Sequence, residues 1–118
     1  MSTKQTSTFT DSALSDIVKE FLTRFKDKNG HYKYVDAIDE MMPKNAKYII
    51  VDYNDLVVEP QIEIIFSTNP DRIFDAFSRA IKEALQIRFP DYAEKIKDEV
   101  RVRLINFPLE RSLRQINA

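Results

Sequence analysis

The stretch Asn69–Phe89, NPDRIFDAFSRAIKEALQIRF, decides how this sequence folds. Ile73, Phe74, Phe77, Ala80, Ile81, Ala84 and Leu85 recur at helical spacing and share one broad apolar face. Asn69 is a strong helix-capping residue type, and Pro70 suits the first helical position because an N–H there has no partner within the helix. Asp71 and Asp75 lie near the positive end of the helix dipole, where negative charge is favoured. Phe89-Pro90 stops the helix, since proline disfavours the α conformation in the residue before it. The remaining chain is expected to pack around this rod.

Toward the N-terminus, Pro60 opens PQIEIIFS, in which Ile62, Ile64, Ile65 and Phe66 are expected to be mostly buried. Its periodicity leaves residues 61–66 open between helix and strand. KYIIVDY, Lys47 to Tyr53, is β-branched and aromatic and reads as a strand, broken by Asn54-Asp55. A helix over Tyr32–Met42 directs Tyr34, Val35, Ile38, Met41 and Met42 inward and is closed by Pro43. Before it, Ala13, Leu14, Ile17, Val18, Phe21, Leu22 and Phe25 mark an amphipathic helix. Thr10 or Asp11 caps its start with Phe9 as a hydrophobic staple, and Asn29-Gly30 is expected to end it. Residues 1–10 are polar and expected to form a disordered tail.

Toward the C-terminus, Asp91–Lys97 makes one or two helical turns. Val100, Val102 and Leu104 then alternate with Arg101 and Arg103, the pattern of a strand buried on one side. Its natural partner is the strand at Tyr48–Tyr53. Asn106-Phe107-Pro108 ends it, and residues 109–118 read as a connector cut from something longer. The expected fold is mostly α with a small β element (α+β). It comprises four to five helices around a long central helix plus a two-stranded sheet, within residues 11–108.

Of the 118 residues, 43% are hydrophobic, enough for a core and too many for a disordered chain. The single glycine excludes both the phosphate-cradling G-x-x-x-x-G-K-[ST] loop and G-x-G-x-x-G. With no cysteine and one histidine, a structural zinc site and thiolate chemistry have no ligands. His31 follows Asn29-Gly30 and reads as a solvated turn residue rather than a catalytic base. Asp36, Asp39 and Glu40 read as a solvated helix face. Asp52, Asn54 and Glu63 match calcium-loop positions, but Val57 stands where that loop needs glycine, so Asp52 and Asp55 read as capping and turn residues. No apolar run approaches the ~18 residues of a membrane span.

Basic and acidic residues number 18 and 19, for a net charge of −1, where a free-standing nucleic-acid binder usually shows a basic excess. The cations after residue 100 are all arginine. Arg101 and Arg103 form a strip on the exposed strand face, extended by Arg111 and Arg114. They are candidate contacts for DNA phosphates or an acidic subunit surface, against the plainer reading of surface charges paired with Asp98, Glu99 and Glu110.

Taken together, VDYNDL at 51–56, NPD at 69–71 and VRVRLINFP…LRQINA at the close resemble the N-terminal segment of archaeal MCM, the minichromosome maintenance replicative helicase. The resemblance covers nearly all of the chain after its first ten residues. It implies the outer helical subdomain of a homohexameric ring, preceding an oligonucleotide-binding fold. It also implies that ATP, magnesium and zinc belong to the rest of the parent helicase, with no catalytic, cofactor or metal residue in this stretch. The parent would act on DNA at the chromosome, in the archaeal cytoplasm and away from membranes. Alone, the fragment is expected to be a monomer or weak dimer. Two roles follow: a regulatory and architectural block, with Asn69 and Pro70 setting the angle of the long helix and Phe21, Phe25, Ile73, Phe74, Phe77, Ile81 and Leu85 as its core, or a weak DNA-backbone binder through the four arginines. An unrelated winged-helix DNA-binding domain is the third reading.

Overall fold

Helix α1 (Asp11–Arg24) starts at Thr10, whose hydroxyl oxygen accepts the Ala13 N–H at 3.0 Å. The computed structural model describes residues 10–106. After α1 come α2 (Lys33–Asp39), α3 (Met41–Lys44), β1 (Tyr48–Asp52), a 3-10 helix (Tyr53–Val58), α4 (Pro60–Thr68), α5 (Pro70–Arg88), α6 (Pro90–Ile96) and β2 (Arg101–Ile105). The fold is mostly helical with one small sheet, as the sequence pattern requires.

The long helix α5 buries Ile73, Ala76, Phe77, Ala80, Ile81 and Leu85. Helices α1, α2, α4 and α6 and strand β2 pack around it. Phe77 is fully buried and meets Phe21 of α1 edge-on, with ring centroids 6.3 Å apart. Phe21 also lies 5.3 Å from the Tyr34 ring. Such tilted and edge-to-face pairs add to what area burial alone contributes. Phe25 and Phe74 sit half-buried at the core's margin.

Three helices open at an X-Pro junction: Glu59-Pro60, Asn69-Pro70 and Phe89-Pro90. The residue before each proline leaves the helical region, with ψ of 84°, 78° and 72°. Proline disfavours the α conformation there, so the chain turns a corner without a loop. This settles residues 61–66 as helix. Ile62 and Phe66 are buried, but Ile64 is 64% exposed, against expectation, because one narrow face of so short a helix reaches α5. Asn69 occupies the N-cap position of α5, yet its side chain makes no capping bond. Its backbone closes both helices instead: the N–H donates to Ile65 O at 2.7 Å and the carbonyl accepts the Arg72 N–H at 3.1 Å. Thr10, which does cap, has ψ 163°, the extended geometry usual at that position, whereas Asn69 stands at 78°.

Two other expected helix ends move. Helix α1 stops at Arg24, because Phe25 turns extended (ψ 127°) and packs its ring against Phe21 and Tyr34. Gly30 (φ 83°) therefore does not end α1. It sits in a turn closed by an isolated antiparallel bridge between Lys26 and Tyr32. The Asp27 carboxylate organises that turn by accepting the Asn29 and His31 N–H groups. These bonds hold Asp27 below the usual carboxylate range. The expected single helix over Tyr32–Met42 is interrupted after Asp39. The ring of Pro43 would clash with the Asp39 carbonyl four residues back, so α3 starts afresh as one turn containing Pro43. It ends at Asn45, which adopts the left-handed conformation at φ 55°, and Met42 is left 43% exposed.

Strands β1 and β2 pair in parallel, with Tyr48 opposite Arg101 and Asp52 opposite Ile105. Helices α4, α5 and α6 supply the long crossover that a parallel pair needs. Ile49, Val51 and Val100 are buried beneath the sheet, with Val102 and Leu104 half-buried beside them.

Candidate interaction surface

The alternation of β2 puts Arg101 and Arg103 on the outer face of the sheet, opposite Tyr48 and Ile50 of β1. The Arg103 guanidinium lies over the Tyr48 ring, 4.5 Å from its centroid, which gives a cation–π contact and fixes both side chains. Arg101 donates to the Val100 carbonyl at 3.0 Å and the Asp98 carbonyl at 3.4 Å. Its expected carboxylate partner is otherwise engaged: Glu99 pairs with Lys47 at 2.6 Å. That hydrogen bond lowers the Glu99 pKa and raises that of Lys47. Among the described residues neither Arg101 nor Arg103 has a carboxylate partner. The structure brings these two together; Arg111 and Arg114 lie outside the described residues, as do Glu110, Phe9 and the connector at 109–118.

Beneath one end of the sheet, VDYNDL builds a polar junction. Tyr34, fully buried on α2, donates its phenol to Asp55 Oδ2 at 2.5 Å and accepts the Asp52 N–H at 3.0 Å. Lys33 Nζ reaches the same Asp55 oxygen at 2.8 Å. Burial, followed by the hydrogen bond to Asp55, pushes the Tyr34 pKa far above that of a free phenol. Asp52 Oδ1 caps the 3-10 helix by accepting the Asn54 N–H at 2.9 Å, as its turn chemistry predicts. Its other oxygen accepts Asn106 Nδ2 at 3.0 Å. Asn106 is left-handed at φ 60°, so a side-chain tie holds the backbone bend that follows β2. Tyr34, Asp55 and Asn106 were not singled out as partners by sequence, because they lie on separate elements and share no period.

Of the helix-face carboxylates, Asp36 is exposed, and Asp39 and Glu40 are engaged in ordinary surface pairing. Asp39 makes a two-pronged contact with Arg88 at the end of α5, and Glu40 pairs with Lys44 at 2.8 Å. Glu63 accepts the Tyr53 hydroxyl at 3.2 Å rather than facing Asp52 across a calcium loop. His31 is exposed in its turn. Among the described residues no three His, Cys, Asp or Glu side chains converge in a metal-binding arrangement, and no helix is long and apolar enough to cross a membrane.

The MCM N-terminal domain family matches residues 15–106, nearly all of the described fold. The chain belongs to that family. It is 31% identical over 103 residues to the DNA replication licensing factor mcm2 of Xenopus tropicalis, covering 84% of this chain and 12% of that protein. It is 34% identical over 99 residues to the mcm2 of Schizosaccharomyces pombe, covering 83% and 12%. The minichromosome maintenance protein MCM of Saccharolobus solfataricus is 27% identical over 104 residues, covering 87% and 15%. This MCM N-terminal domain thus spans a small fraction of the relatives it matches. Membership removes the winged-helix reading.

Proposed function

We propose that this MCM N-terminal domain is a non-catalytic architectural and regulatory module of an ATP-dependent replicative DNA helicase. The observation that carries the reading is the tie between Asp52 and Asn106, 54 residues apart in sequence. It couples the bend after β2 to the polar junction under α2, so the direction in which the chain continues is set by the folded block. In this reading residues 11–108 form the module and residues 109–118 lead toward an oligonucleotide-binding fold. The parent assembles as a homohexamer and works at the chromosome. ATP, magnesium and zinc are held by other parts of the parent, in keeping with one glycine and no cysteine in this chain.

In the full-length subunit, Asp52→Ala is expected to leave ATP binding intact while slowing unwinding or weakening the ring by native mass spectrometry. Unwinding and ring stability equal to the parent would refute the architectural role, and nucleotide hydrolysis by the 118-residue chain alone would refute its non-catalytic character.

Arg101 and Arg103, which make no ion pair among the described residues, support a second reading, weak contact with DNA through Arg101, Arg103, Arg111 and Arg114. Such binding falls steeply with salt because it depends on counterion release. Anisotropy of a labelled oligonucleotide distinguishes the two: salt-sensitive binding lost on replacing all four by alanine supports the second role, and unchanged affinity in that variant excludes it.

A further inference from the structure

Strand β1 bonds to β2 through alternate residues, beginning with the Arg101 N–H on the Lys47 carbonyl at 2.9 Å. In a parallel pair the intervening residues turn their N–H and C=O groups the other way. Tyr48, Ile50 and Asp52 therefore present backbone groups to the outer edge of β1. The Asp52 N–H is taken by the Tyr34 hydroxyl, which confirms the direction. The backbone groups of Tyr48 and Ile50 have no partner on that edge among the described residues.

This free edge borders a groove of 330 Å³ lined by Ala37, Met41, Ala46, Tyr48, Ile49 and Ile50 together with Glu40 and Lys44. Most of the lining is apolar, and its two charged members, Glu40 and Lys44, pair with each other at 2.8 Å and so offer no net charge to an occupant. Folded proteins blunt such edges with lysine, proline or a bulge. Between Tyr48 and Ile50 there is none, and the adjacent Lys47 is committed to Glu99. Arg103 reaches from β2 across the sheet to lie over Tyr48, with Arg101 beside it, and among the described residues neither makes an ion pair with a carboxylate, Glu99 being held by Lys47.

We propose that the outer edge of β1 at Tyr48–Ile50 receives an extended segment of a partner protein as a third strand, with apolar side chains in the groove and acidic ones against Arg103 and Arg101. Side chains alternate along a strand, so one segment can satisfy both surfaces while its main chain pairs with Tyr48 and Ile50. Charge complementarity selects an acidic occupant. The apolar floor and the 46% exposure of Ile50 select a protein over DNA, whose phosphates gain nothing from apolar contact. The inference stands apart from the architectural role and survives its failure.

The test is amide NMR of the 118-residue chain titrated with a short peptide alternating glutamate and valine. The expected result is shifts at Tyr48, Ile50, Ala37 and Met41. Joint replacement Arg101→Ala and Arg103→Ala should weaken binding roughly fivefold to tenfold, in the range of two partly exposed charge pairs. Ile50→Pro, which removes the edge N–H, should abolish it, and N-methylation of the peptide backbone should do the same without altering the protein. Several results overturn the proposal: no shifts at peptide concentrations of several millimolar, shifts mapping elsewhere, or equal binding of a lysine–valine peptide. A labelled oligonucleotide displacing the peptide from these amides would assign the edge to DNA, and concentration-dependent dimerisation lost in Ile50→Pro would assign it to a second copy; either refutes an acidic partner segment.

Discussion

Replacing Tyr34 by phenylalanine removes one oxygen and nothing else from the fully buried ring. That oxygen serves two partners, the Asp55 carboxylate at 2.5 Å and the Asp52 N–H at 3.0 Å. Asp55 keeps Lys33, but the Asp52 N–H on the edge of β1 loses its only acceptor. An orphaned donor costs about 1–3 kcal/mol when fully buried, less for the half-buried Asp52 N–H, and a weakened bond to a charged group adds to it. Tyr34→Phe should therefore lower stability by about 1.5–2.5 kcal/mol near pH 8, a large share of the ~5–15 kcal/mol typical of a domain. The penalty should shrink in alkali. The folded phenol has its pKa raised by burial, whereas the unfolded phenol titrates near its ordinary value of about 10. The folded state thus binds the proton more tightly, and this contribution is complete below about pH 10 and lost as pH climbs toward the folded pKa. By pH 11 the wild-type chain should have given up about 1.4 kcal/mol through this group, one pH unit beyond the unfolded pKa. Phenylalanine cannot titrate, so the gap between the two proteins narrows by that amount. Urea unfolding of both at pH 8 and pH 11 measures it, and the lysines and other tyrosines, common to both, cancel in the difference. A gap that stayed constant or widened would mean that Tyr34 is not held as a neutral donor in the folded chain.

Phe77→Ala should cost ~3–5 kcal/mol, because its ring is fully buried between α1 and α5 and the backbone around it cannot collapse onto the void; unchanged thermal unfolding would contradict a core organised by α5. Gly30→Ala should cost about 1–2 kcal/mol through backbone strain alone. Gly30 sits at φ 83° with nothing within 4 Å of an added Cβ, so a near-neutral result would place the turn in another conformation.

The rod at α5, the helix α1 and the partnership of β1 with β2 were legible because each rests on periodicity, which survives any tertiary context. Ile73, Phe77, Ile81 and Leu85 fall inward because the helix has only one face toward its neighbours. What periodicity does not carry was missed. The break at Glu40 depends on Pro43 meeting a carbonyl four residues earlier, and Gly30 was assigned to a helix end because the capture of its turn by Asp27 is local hydrogen bonding without a hydrophobic signal. Asn69 has capping chemistry, but Pro70 fixes the backbone ahead of the side chain's preference. The arginine strip was visible as alternation. The Tyr48 ring under Arg103 and the tie from Asp52 to Asn106 were not, since both need the parallel register, and no local pattern states which way two distant strands run.

That register explains why a helical block carries a sheet of only two strands. A parallel pair cannot close through a hairpin, so β1 and β2 meet only when α4, α5 and α6 have packed between them. The sheet is therefore a report on the whole core: if α5 shifts along α1, β2 loses its alignment with β1, and Asn106 moves away from Asp52. The bend at Asn106 thus combines a local preference, since asparagine tolerates the left-handed conformation, with a long-range tie to Asp52. A perturbation of Phe77 or Tyr34, both remote in sequence from residue 106, should therefore reach Asn106 through the sheet and weaken its bond to Asp52.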